Sequence, residues 1–172
     1  LADFAPNRVS ITQLGGIGPL VVLLGERATR GPTSDHAEAA LVRLSIEQAN
    51  RVRIIEKLVS MLDGTEGAGA QEEAAAALAK LAQDSLDNRV SIVDAGGIEP
   101  LLHLLSSPSA KAKENVASAI THLAHKSSQI QAALTKAGGI PLIVHALASV
   151  SSTGNAKDLL AAAQLCSLTA QA

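Results

Sequence analysis

Along the Ala- and Leu-rich stretches of the chain, apolar positions recur at steps of three and four residues. This is the spacing that gathers side chains onto one face of a helix. Runs such as Ala74-Ala75-Ala76-Ala77 strengthen that reading, because alanine has the highest intrinsic helix propensity. The pattern resolves into units of three helices: a short first one ending at a Gly-Gly pair, a second opening near a proline, and a longer third. Glycine closes the first helix because it tolerates the left-handed backbone conformation of a helix end. Pro19, Pro100 and Pro141 fall near the start of the second, where a missing N–H costs little. Third helices are expected to open on capping chemistry at Asp35 with Glu38, at Ser107 before Pro108, and at Asn155 with Asp158.

The units repeat. Asn7-Arg8-Val9-Ser10-Ile11 returns as Asn50-Arg51-Val52-Arg53-Ile54 and as Asn88-Arg89-Val90-Ser91-Ile92, at steps of 43 and 38 residues. Leu14-Gly15-Gly16-Ile17 returns as Ala95-Gly96-Gly97-Ile98 and, 42 residues on, as Ala137-Gly138-Gly139-Ile140. Such a period belongs to helical solenoids. It divides the chain into a tail of a preceding unit (1–6) and units at 7–49, 50–87, 88–126 and 127–172. The second unit has no Gly-Gly turn between Asn50 and Met61 and is about five residues shorter there than the third, so its first two helices are expected to merge through Ile54-Ile55-Glu56. The first unit carries a longer link, Glu26 to Pro32, read as length variation.

Taken together, Asn-Arg-x-x-Ile, Ala-Gly-Gly-Ile, Pro-Leu-Leu-x-Leu-Leu and Ala-x-x-x-Leu-Ala resemble armadillo repeats, as in the catenins and importin-alpha. The resemblance covers nearly the whole chain, and the Gly-Gly break favours armadillo over HEAT repeats. It implies an all-α, right-handed α-solenoid of about four repeats. The motifs specify the fold and leave the function open, since armadillo arrays serve many kinds of protein.

Composition narrows the function. The chain has 172 residues, 47% of them apolar and 17% charged, enough for a continuous core. Aromatic residues make up 1% (one Phe, no Trp or Tyr), so the core must be filled by Leu, Ile, Val and Ala, which suits close-packed helices rather than a ring-lined ligand pocket. A net charge of −2 gives no general field for nucleic acid or anionic membranes. No apolar run approaches the ~20 residues of a membrane span. The single Cys166 excludes an internal disulfide framework and fits a reducing, intracellular compartment, the cytoplasm first. No initiator Met or signal segment is present, so targeting information is expected to be absent or removed. Leu1 and the face around Leu159, Leu165 and Leu168 lack a polar cap, which predicts a longer array or a covering neighbour, and an isolated fragment that is marginal or self-associates.

Candidate chemistry mostly fails. Gly15-Gly16-Ile17-Gly18 follows a helix, and Gly64-Thr65-Glu66-Gly67-Ala68-Gly69 lacks the Lys-Ser/Thr of a phosphate loop. Asp63 and Thr65 suggest a calcium loop, yet Ala74 stands where a bidentate Glu is needed. His122 and His125 have no further ligands around them. His103 and His145 share a slot with Val22 and Ser60 and read as exposed second-helix positions, while Cys166 aligns with Ser45, Ala82 and Ala124 and reads as a small packed site. No catalytic residue, metal ligand or cofactor is expected.

One constellation stands out. Arg43, Lys80, His122 and Gln164 occupy the same third-helix slot at steps of 37, 42 and 42 residues, each before a leucine: Leu44, Leu81, Leu123 and Leu165. The resemblance implies that third helices line a concave groove and that this slot often carries Asn to hold an extended peptide's backbone. The slot four residues earlier, often Trp in importin-alpha-like repeats, is here Ala39, Ala76, Ser118 and Leu160. Binding of basic nuclear-localisation signals is therefore not implied. The four are expected either to be ordinary solvated positions on an amphipathic helix or to line the groove, where a ladder of donors suits an acidic or carbonyl-rich protein segment, Arg gripping carboxylates in two-pronged fashion. The expected function is a protein-interaction scaffold, with a structural subunit packed permanently in a larger assembly as the rival.

Overall fold

The computed structural model describes residues 5–25 and 32–149. Among them the chain forms ten helices and no strand: α1 Ala5–Gln13, α2 Ile17–Gly25, α3 Pro32–Leu44, α4 Gln48–Met61, α5 Ala68–Asp84, α6 Leu86–Asp94, α7 Ile98–Leu104, α8 Ala110–Ala124, α9 Ser128–Lys136 and α10 Gly139–Ser149. The link 26–31, the Asn155 cap, Cys166, Gln164 and the end-face leucines lie outside the described residues.

The paired glycines divide the work of the turn. After α6, Gly96 takes φ 74° and its N–H reaches Val93 O, while Gly97 N–H reaches Ile92 O at 2.9 Å. That is the left-handed closure that satisfies the last carbonyls of a helix. The second glycine is needed for room: a Cβ on Gly97 would lie 2.9 Å from Ile92 O and 3.2 Å from a Val59 methyl of α4. The same arrangement closes α1, where Gly15 takes φ 79° and Gly16 sits over Ile11.

Without such a pair, α4 runs unbroken through Ile54-Ile55-Glu56, burying Asn50, Ile54, Ile55, Leu58 and Met61 on one side. Two expectations about helix starts are corrected. The cap of α8 is Ser109, whose hydroxyl accepts from Ala112 N–H; Ser107 instead accepts from Ser109 N–H in the turn before it. Asp35 cannot cap α3, because the helix has already begun at Pro32.

Among the described residues the core is aliphatic apart from Met61, and it is rich in alanine. The most extensive contact between described helices is α5 against α8, and both are rich in buried alanine, Ala74, Ala75, Ala77 and Ala82 on the first and Ala112, Ala117, Ala119 and Ala124 on the second. Small side chains let the two backbones approach, and Leu78, Leu81, Val116, Ile120 and Leu123 fill the space that remains. The buried Glu72 ties the pair together: Ser109 Oγ donates to its carboxylate at 2.6 Å and Asn115 Nδ2 to its backbone carbonyl at 2.8 Å. The third helices of the second and third units thus lie side by side.

Candidate functional site

Register along the third helices is fixed by their leucines. Leu44, Leu81 and Leu123 are buried, so the residue before each stands at the same angle on its helix. Arg43 and Lys80 are exposed and His122 is half-buried. One turn earlier, Ala39 is exposed and Ala76 and Ser118 are half-buried, which places both slots on the outward stripe of α3, α5 and α8. Three of the four ladder residues are therefore found at equivalent outward positions, with small side chains beneath them.

The ends of these helices are held by the recurring Asn-Arg pair, whose role the sequence did not disclose. Arg89 of α6 donates from Nε to Ala82 O at 2.7 Å and from Nη1 to His125 O at 2.9 Å, so one guanidinium closes the C-terminal carbonyls of both α5 and α8. Arg51 of α4 likewise reaches Ser45 O at 3.1 Å beyond α3 and pairs with Asp87 at 3.3 Å. In the fourth unit Gln131 does the same for Ala124 O at 2.9 Å. A cation near the last turn also complements the helix dipole. Asn88, buried, donates to Leu81 O at 2.9 Å, and Asn50 to Arg8 O at 3.3 Å. Recurrence of Asn-Arg at the repeat period was the only signal available in the sequence.

Other candidates resolve as structure. His103, His145 and Ser60 are all exposed. Asp63 Oδ1 accepts from the Thr65 N–H and hydroxyl, both at 2.9 Å. These bonds, the backbone one first, hold its carboxyl below the usual aspartate range. They make it a turn residue, the role its place in the α4–α5 link requires. Among the described residues no group of three or more His, Cys, Asp or Glu side chains could hold a metal ion, and no helix is long and apolar enough to cross a membrane.

Helices recurring at the repeat period, with α5 and α8 side by side and their ends clamped by Arg89 of α6, define an α-solenoid. The solenoid is of the armadillo kind: residues 85–125 match the family model of the armadillo/beta-catenin-like repeat. An engineered protein of known structure superposes with a TM-score of 0.66 at 28% identity, covering 94% of this chain and 66% of that one. A computationally designed armadillo repeat protein for modular peptide recognition gives 0.67 at 23% identity, covering 94% and 69%. A designed armadillo repeat protein in complex with the peptide (KR)4 gives 0.68 at 22%, covering 92% and 67%. This chain thus spans about two thirds of the length of these proteins. The search of curated proteins found no match.

Proposed function

We propose that this chain is a non-enzymatic protein-interaction scaffold of four repeats, at 7–49, 50–87, 88–126 and 127–172, which holds an extended acidic or polar protein segment along its third helices. Arg43, Lys80, His122 and Gln164 form the ladder it lies on. The observation that carries this reading is the common register of the first three, each on the outward stripe ahead of a buried leucine. Designed armadillo proteins of the same fold recognise peptides, which supports the binding mode. The charge here differs in consequence: Arg43 and Lys80 oppose a basic peptide such as (KR)4 and favour carboxylates, while His122 and Gln164 offer donors to backbone carbonyls.

The test is a titration of a labelled acidic peptide against the wild-type chain and the Arg43→Glu, Lys80→Glu double variant. Reversing two contact charges is expected to weaken binding at least about tenfold. Unchanged affinity in the double variant would remove the ladder from the binding face.

A permanent structural subunit is the second reading, and one observation favours it. Val9, Val52 and Val90, each third in its Asn-Arg-Val run, are 45%, 41% and 46% exposed, and a cleft of about 680 Å³ lies between the first two. A recurring apolar row on the first helices suits packing against a fixed neighbour. In that case Val52→Glu, and not the groove variant, abolishes assembly.

A further inference from the structure

Beside the first rung of the ladder, a cavity of about 440 Å³ opens between the turn that follows α3 and the start of α6. Its polar walls are engaged within the protein. Arg51 pairs with Asp87 and donates to Ser45 O, and Asn88 donates to Leu81 O. Its apolar wall is Val42, which packs on the core, and Ile46, a large aliphatic side chain left 60% exposed. Arg43 lines the same cavity. A surface isoleucine with no place in the core, facing a cavity bordered by the cation already assigned to the ladder, joins two kinds of recognition at one point.

Resting on the groove reading above, we infer that this cavity anchors one apolar side chain of the acidic segment. That side chain enters against Val42 and Ile46 while a neighbouring carboxylate meets Arg43. The occupant is thus an acidic peptide carrying an apolar residue, and the cavity gives the ladder a starting point: charge alone would let an acidic strand slide along the rungs, whereas a single apolar contact fixes its register. Arg43 and Lys80 supply the charge complementarity. Asp87 in the same wall is paired with Arg51 at 3.3 Å, which offsets part of its charge.

The experiment uses the full chain and two short fluorescein-labelled peptides of alternating Glu and Asp, identical except for a central Leu or Ser. Anisotropy should show the Leu peptide binding the wild-type chain about tenfold more tightly, as expected for a leucine largely removed from water. In Ile46→Ser, whose urea unfolding should be unaltered because the side chain is exposed, that preference should fall below about twofold. The Arg43→Glu, Lys80→Glu variant should weaken both peptides by the same factor. If the two peptides bind the wild type equally and both still respond to the charge reversal, the anchor is wrong and the groove stands. If neither peptide responds to the reversal, the groove reading fails and takes the anchor with it. If Ile46→Ser instead converts an oligomer to a monomer in sedimentation, the cavity is a contact between copies of this chain, which also overturns the anchor.

Discussion

Arg89 exemplifies what a single side chain contributes to this array. Its planar fork reaches two carbonyls, Ala82 O and His125 O, that belong to the ends of consecutive third helices. A lysine in its place could not serve both in that geometry. Arg89→Ala should therefore lower the unfolding free energy by about 2 kcal/mol, the scale of hydrogen bonds from a charged donor, here one part-buried and one exposed, and Arg89→Lys should recover less than half of it. Urea denaturation measures both; a loss under about 0.5 kcal/mol in the alanine variant would mean that water replaces the guanidinium without cost. The motif was visible as a marker, but its task was not. The two acceptors lie seven residues before and 36 after the arginine, and no local pattern announces a contact of that span.

Turns and helices were more legible, because their causes are local. The Gly-Gly pairs predicted breaks at residues 15–16, 96–97 and 138–139, and the structure turns there. The first glycine supplies the left-handed backbone and the second the missing Cβ. Gly96→Ala should cost about 1–2 kcal/mol for the positive φ. Gly97→Ala should cost a similar amount for a different reason, a methyl forced against Ile92 O and Val59. If Gly97→Ala were neutral in thermal unfolding, the close approach of α6 to α4 would be wrong. Where the pair is absent, α4 continues, so Glu56→Pro, at an exposed position mid-helix, should destabilise by about 3 kcal/mol or more; an interrupted helix would absorb it with little loss. The α8 cap was misplaced by two residues, since Ser107 and Ser109 flank Pro108 with equal chemistry. Only the path of the chain decides which hydroxyl meets the Ala112 N–H and which the turn.

At the scale of the whole molecule, the face that meets a partner decides the function. Repetition makes the ladder visible in the sequence: a leucine that must be buried fixes the angle of the residue before it, so Arg43, Lys80 and His122 group by spacing alone. The cavity beside Arg43 could not be, because it joins Ile46 to Asp87 and Asn88 across the stack, and neither end carries a motif for the other. If an acidic segment lies on the ladder, its affinity should fall steeply as salt rises from low values to physiological ionic strength, where the Debye length is about 8 Å; salt-independent binding would point to the valine row instead. The most direct measurement is a map of backbone amide chemical shifts in the isotope-labelled chain on titration with an acidic peptide carrying a central leucine. The predicted result is a set of perturbations at residues 39–46, 76–80, 85–88 and 118–122, on α3 with its following turn, α5, the start of α6 and α8. Perturbations centred on Val9, Val52 and Val90, with the third helices unchanged, would contradict the account and assign binding to the first-helix face.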